Sequence, residues 1–354
     1  MAVFPVSAED SHVYDAYLQR LDSVVDRIEV YYAAKREQLA GMQLRGKGIA
    51  SDSARYQHNA KLYNECFTFD SKLAMHVAKE NQQIAERLRD QDGVYEWRIK
   101  ESFLLASTGQ LLEAVLAVED IRSSDLSHQL KLDYFGQMQY LYSHLNQYTW
   151  DDELKTEYEN LNKAYNDSIC LLSVPSDPDY DWFMAWEDLK NGKAKASVVQ
   201  LQPRVDTLAL DSRQDAMLSY LLARLYESLG DQDNYIKYMT KSAIADVRSA
   251  NLDIASLEEL ASVLFGQGDL DHSYKYINVC MKTARMYNNQ VRMVNVARLM
   301  DQILTAYQER DLAQRQRLNR LIWWLIAAIV ALVGVVVLVV RQHKRLQEEG
   351  RGTS

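Results

Sequence analysis

The sequence predicts an all-α protein, an α-solenoid of about six helical pairs followed by one transmembrane helix. Three observations predict it. Only 4 Pro and 13 Gly occur in 354 residues, and alternating Val-Thr-Ile runs are scarce before the C-terminal region, which leaves little material for the turns of a sheet protein. Glycines recur at Gly192, Gly230 and Gly268, 38 residues apart each time. Residues 321–340 read LIWWLIAAIVALVGVVVLVV, with no charged, Asn or Gln side chain among them.

At the start, MAVFPVSAEDS has no basic n-region and too short an apolar run for a signal peptide. Val6-Ser7-Ala8 nevertheless resembles the small-residue end of a cleavage site, so residues 1–8 are expected to be a residual signal-like start, with the mature part beginning near Glu9. Residues 9–50 are expected to hold an N-terminal helix and a linker. From Tyr14 to Leu39, the residues Tyr17, Leu21, Val24, Val25, Ile28 and Tyr32 recur at helical spacing, which predicts one amphipathic helix. Leu44-Arg-Gly-Lys-Gly-Ile49 breaks it, and Ser51-Asp52-Ser53 offers caps for the next helix. Gly46-Lys47-Gly48 lacks the spacing of a phosphate-binding loop and reads as linker.

Residues 51–172 and 181–307 form two sub-arrays of a repeat, separated by a Pro-containing loop at 173–180, SVPSDPDY. The repeat extends beyond the glycines. Met184-Ala185, Leu222-Ala223 and Leu260-Ala261 each precede their glycine by eight and seven positions. Gly109 heads a further copy, with Ala114 five positions on and Val118 four later; Ser197 and Ser273 occupy the place of Ala114 in other copies. Weaker copies surround Phe69 (60–88) and Asn146 (131–171), and the steps from Phe69 to Gly109 to Asn146, 40 and 37, agree with the period.

On these residues the chain resembles the tetratricopeptide repeat, a helix–turn–helix unit of about 34 residues. The repeat's small first-helix residue is Ala185, Ala223 and Ala261, its inter-helix glycine Gly109, Gly192, Gly230 and Gly268, and its second-helix small residue Ala114. Tyr235 stands where the repeat prefers Ala, the signature Trp and closing Pro are missing, and the period is stretched.

No Gly or Pro interrupts 289–333, so two arrangements stand open: one helix of about 67 Å running from the last solenoid turn through the polar stretch 308–320 into the span, or a flexible break in that stretch. The apolar run of 321–340 would span roughly 30 Å as a helix, the hydrocarbon thickness of a bilayer. Arg320 and Arg341 close it, and Trp323 and Trp324 fit the interfacial belt. Residues 341–354 form a basic tail of formal charge +2, so the chain's −9 leaves −11 for the large part, which repels nucleic acid.

Catalytic constellations are missing from the sequence. It contains no HExxH, GxSxG, Walker A, GxGxxG or EF-hand loop, and its seven histidines lack ligand spacing; His76 and Glu80 read as a surface pair. Asp151-Asp152-Glu153 and Glu258-Glu259 read as first-turn helix charges. Cys66, Cys170 and Cys280 lie far apart and read as small core hydrophobes. The protein is therefore expected to be no enzyme and to need no metal or cofactor. Its aromatic residues are abundant, 22 of them Tyr, with crowding at 134–150 and 180–186. They fill the layers between helical pairs, or line a concave groove that grips a protein, peptide or glycan.

The charges flanking the span do not orient it: Arg310, Arg315, Arg317 and Arg320 precede it, while Arg341, Lys344, Arg345 and Arg351 follow. Two readings therefore compete, a sensor or scaffold with an extracytoplasmic solenoid and a tail-anchored cytoplasmic adaptor. A second resemblance favours the first. Leu21-Asp22, Val25-Asp26-Arg27, Tyr32, Lys35-Arg36-Glu37 and Phe69-Asp70-Ser71 with Ala74, followed by degenerate repeats, one span and basic residues, are similar to the opening and layout of bacterial membrane-bound regulators. In those, a periplasmic solenoid is joined through the span to a cytoplasmic coiled coil and a LuxR-like helix-turn-helix. The resemblance implies a single-pass inner-membrane protein with the large part periplasmic, signalling to a transcriptional output through a span that can pair with a second copy. That output module does not follow Arg341 in this sequence, so no direct contact of this chain with nucleic acid is implied.

Overall fold

The computed structural model describes residues 13–177, 179–252 and 254–351. The signal-like start at 1–8 lies outside the described residues, as do the last three residues of the tail. Among the described residues every regular element is helical. The chain divides into two compact units, Met1–Leu299 and Met300–Ser354.

The first unit opens with α1 (Asp15–Val25) and α2 (Ile28–Gly46), followed by six helical pairs. These are α3 (Asp52–Cys66) with α4 (Ser71–Leu88), α5 (Gln91–Ser107) with α6 (Leu111–Leu116), α7 (His128–Tyr148) with α8 (Asp152–Leu172), α9 (Tyr180–Lys190) with α10 (Ala194–Val205), α11 (Arg213–Ser228) with α12 (Gln232–Arg248), and α13 (Ser256–Gln267) with α14 (Leu270–Tyr287). The last helix, α15 (Gln290–Arg351), begins in the first unit and makes up the described part of the second.

Two expectations need correction. The N-terminal amphipathic segment is two helices, broken at Asp26–Arg27, where the N–H of Asp26 and of Arg27 still bond back to Asp22 and Val24. The turn of the third pair falls at Thr149–Asp151, so Asn146 is helical. Asp151 makes that turn, because its carboxylate accepts the N–H groups of Glu153 and Leu154 and so caps α8.

The inter-helix turns follow one plan. At Gly109, Gly192, Gly230 and Gly268 φ lies between +69° and +91°, the left-handed region. In each copy the glycine N–H bonds to the carbonyl three residues back, and the next N–H reaches five back, as Gly230 to Glu227 and Asp231 to Tyr226. This satisfies two carbonyls left open at the helix end. At Asp231 and Asp269 the residue after the glycine also caps the second helix, accepting from Asn234 and His272.

Small residues let the helices approach. Ala114, Ala223 and Ala261 are fully buried and Ala185 nearly so. Leu105, Ala106 and Leu141 pack around Ala114, with Leu111 and Leu145 at the margin. A second cluster joins Ile99, Val118, Ile121, Leu126, Leu130, Tyr134 and Met138, holding α7 against α5. The three cysteines are free, with Cys66 and Cys280 buried.

A row of helical pairs leaves its two ends open, yet here the ends of the first unit meet. Helix α1 packs on α12, and Asp22 accepts from the Tyr276 hydroxyl at 3.1 Å while pairing with Lys275 at 3.1 Å and His272 at 3.2 Å on α14. Tyr287, the last residue of α14, is buried; its hydroxyl donates to the Phe67 carbonyl at 2.7 Å, and its own carbonyl accepts from Ser71 at 2.8 Å. The N–H of Leu252 donates to Thr68 carbonyl at 2.8 Å. The first unit is thus closed on itself.

In the second unit α15 carries the apolar run. The segment Gln290–Arg341 is long and apolar enough to cross a membrane, and none of its most apolar window is buried by protein. Trp323 and Trp324 are exposed on it. Helix α15 runs without a break through 308–320, so of the two arrangements the single helix is the one observed.

Two outcomes follow from this geometry. Ala at Gly192, Gly230 or Gly268 meets no neighbour within 4 Å and costs only the left-handed strain, about 1–2 kcal/mol, whereas at Gly109 a Cβ would also lie 2.8 Å from Val291 Cγ2. Gly109→Ala is therefore expected to lower the thermal midpoint more than the other three substitutions. His272, held by its hydrogen bond to Asp269 at 2.6 Å and by the Asp22 charge, has its pKa raised above 6.5. Because the folded value exceeds the unfolded one, its contribution is full below about pH 6.5 and fades as pH rises through the folded value. Unfolding midpoints at pH 6 and pH 8 should differ more in the wild type than in His272→Gln, with Asp22, Asp269, Lys275 and Tyr276 unchanged around it.

Candidate ligand chamber

The first unit lines an open cavity of about 810 Å³. Its wall comes mainly from the first helix of successive pairs: Tyr63 on α3, Lys100 and Phe103 on α5, Gln137 and Tyr140 on α7, Trp182 and Phe183 on α9, Arg213 and Tyr220 on α11, and Ser256 on α13. This is the concave face that stacked helical pairs present. Asp246 of α12 and Arg292 of α15 complete it.

Aromatic rings form one side. Tyr63 stacks on Phe67 at 5.5 Å, Phe67 meets Phe103 edge-on at 6.1 Å, and Phe103 lies 5.1 Å from Tyr140, whose ring is 4.2 Å from that of His144. Such offset and edge-on pairs are the favoured ring arrangements. Arg213 spreads over the Phe67 ring at 5.2 Å. Trp182 and Phe183, also in the lining, are half-buried, with Trp182 propped edge-on against Trp186 at 5.8 Å.

The polar groups are fixed from behind. The Gln137 amide donates to Ser102 at 2.9 Å, and Ser102 donates to the Ala114 carbonyl at 2.7 Å, which ties the wall to the second helix of the α5–α6 pair. Gln139 donates to Asn166 at 3.2 Å. Tyr220 donates to Glu259, which also takes Arg224 at 3.1 Å and Tyr235 at 3.1 Å; burial and the Glu259 charge push the Tyr220 hydroxyl well above its ordinary pKa, so it stays protonated. Asp246 accepts from Asn251 at 2.7 Å and Ser256 at 2.8 Å. Lys100 is spent on Glu96 and on the Trp97 ring.

The repeat-defining residues all lie in the scaffold and outside the chamber lining. Gly109, Gly192, Gly230 and Gly268 make the turns, and Ala114, Ala185, Ala223 and Ala261 the helix contacts. Two aromatic crowds split. Tyr140, Trp182 and Phe183 face the chamber, Tyr134 is buried in the α5–α7 core, and Trp150 is 87% exposed. Sequence reasoning missed Phe67, Phe103, Arg213 and Tyr220, whose signal is only that they fall on, or at the end of, first helices of the first, second and fifth pairs. Among the described residues no cluster of His, Cys, Asp and Glu is arranged to hold a metal.

No curated protein matches the chain. Seventeen chains of solved structures match. One of them, titled "Computational Design of Self-Assembling Cyclic Protein Homooligomers", is 10% identical over 81% of this chain and 96% of its own, with a TM-score of 0.12, too low to bear on the fold. A family model described as the SusR N-terminal TPR domain matches residues 25–298, which are α2, the six helical pairs and the chamber wall. The chain belongs to the SusR N-terminal tetratricopeptide-repeat family.

Proposed function

We propose that the protein is a membrane-anchored sensor of the SusR type whose chamber binds a neutral oligosaccharide outside the cytoplasm and whose α15 span passes the signal to a transcriptional regulator. The observation that carries this reading is the chamber: about 810 Å³, lined both by aromatic rings and by anchored amide, hydroxyl and carboxylate groups. That volume lies within the roughly 300–1,000 Å³ of small-molecule sites. Sugar rings offer apolar C–H faces to aromatic rings and hydroxyls to carboxylates and amides, which is the mixture found here.

The charge balance supports a neutral ligand. Glu96, Asp133, Asp177, Asp179 and Asp246 line the chamber against Lys100, Arg213 and Arg292, so a phosphate or a polyanion meets net repulsion. The apolar run of α15 supports the anchor, and the family supports the sensor role.

Two experiments test the reading. Calorimetric titration of the full chain in lipid nanodiscs with neutral oligosaccharides of three to six sugars should show binding that weakens about tenfold, roughly 1.4 kcal/mol, in Phe103→Ala or Trp182→Ala. Binding of short peptides alone, or wild-type affinity in both variants, contradicts it. For orientation, alkaline phosphatase fused after Ser354 should be inactive and a fluorescent protein there bright; the reverse pattern supports a tail-anchored adaptor in the cytoplasm.

A further inference from the structure

The chamber wall includes the beginning of the helix that carries the apolar run. Arg292 on the first turn of α15 lines the cavity, and its backbone N–H is capped by the Asn289 carboxamide at 2.8 Å. One residue earlier, Val291 sits so close to Gly109 that a Cβ there would lie 2.8 Å from Val291 Cγ2. One turn later, Asn295 donates to the Tyr148 hydroxyl at 3.3 Å. The first two turns of α15 therefore meet the repeat at two points, Val291 against Gly109 and Asn295 on Tyr148.

Tyr148 is also the far end of a row of rings. From the chamber, Phe103 contacts Tyr140 at 5.1 Å, Tyr140 contacts His144 at 4.2 Å, and His144 contacts Tyr148 at 6.3 Å. The last three lie four residues apart along α7, one above another on one face, and the His144 ring is fixed by a hydrogen bond between Nδ1 and the Tyr140 carbonyl at 3.0 Å. Phe103 and Tyr140 line the chamber, so a ligand stacked on them presses on the near end of this row.

We propose that Tyr148 and Asn295 are positioning residues for signal output: the Phe103–Tyr140–His144–Tyr148 row reports chamber occupancy to the first two turns of α15 through the Tyr148–Asn295 hydrogen bond. This rests on the chamber being the ligand site, but the row itself is testable without ligand. Packed rings with discrete arrangements can carry coupling, and the warrant needed is a measured one.

The experiment is hydrogen exchange of the full chain in lipid nanodiscs, read at residues 292–299. In ligand-free protein, Tyr148→Phe should raise exchange there about threefold or more, as loss of one hydrogen bond requires, and Tyr158→Phe, which removes a hydroxyl on α8 outside the row, should leave it unchanged. Phe103→Leu should raise it too, and the double variant Phe103→Leu with Tyr148→Phe should raise it by less than the product of the single effects. The probes are cellotriose, maltotriose, xylotriose and mannotriose. The probe that binds should protect 292–299 in the wild type, and Tyr148→Phe should keep its affinity within twofold while losing the protection. Unchanged exchange in Tyr148→Phe, multiplicative single effects, or retained protection in that variant overturns the proposal. If no probe binds the wild type, the oligosaccharide reading fails and the ligand-free arms still decide the row.

Discussion

Tyr287 holds the two ends of the repeat together. A helical pair cannot bury its own outer face, and a row of pairs leaves one such face at each end. Here the ends cover one another: the Tyr287 side chain is buried, its hydroxyl bonds the Phe67 carbonyl, its carbonyl takes the Ser71 hydroxyl, and Ser107 Oγ lies 3.3 Å from its oxygen. These residues are about 180 to 220 positions apart in the chain. The Asp22 contacts with Lys275, His272 and Tyr276 close the same seam from the N-terminal side. Removing either partner of the buried Tyr287 bonds would leave an unsatisfied polar group, which costs more than the bond itself contributes.

The chamber is a consequence of that closure. First helices line the cavity while second helices pack behind them, the close approach allowed by buried small residues on both, Ala223 and Ala261 on first helices and Ala114 on a second. The curvature brings the rings of successive pairs to one open cavity. The wall is also stiff. Ser102 ties Gln137 to α6, and Glu259 collects Tyr220, Tyr235 and Arg224 at one carboxylate. Preorganised polar groups of this sort lose little freedom when a ligand arrives, which favours affinity.

Much of the fold was legible in the sequence, and for identifiable reasons. Gly230 and Gly268 announce themselves because a left-handed residue is needed at the same place in each copy, and the apolar run of 321–340 because no polar side chain interrupts it. The break at Asp26–Arg27 was not legible, since α1 and α2 keep a continuous apolar pattern across it. Nor was the turn at Thr149–Asp151, which uses an Asp cap in place of a glycine, so that Asn146 only mimicked the period. The closed seam was invisible for another reason: Asp22 and Lys275 are 253 apart and belong to no repeat position. The chamber shares that difficulty, because Phe103, Trp182 and Tyr220 become neighbours only once the row has curved shut.

The central claim is that the ligand enters this chamber and no outer surface. Fluorine resonances of 5-fluorotryptophan test it most directly, because Trp182 lines the chamber while Trp150 stands 87% exposed outside it. On titrating the full chain in nanodiscs with the neutral trisaccharides, the Trp182 resonance should shift and saturate while that of Trp150 stays in place. A saturating shift at Trp150 with Trp182 unmoved would contradict the account.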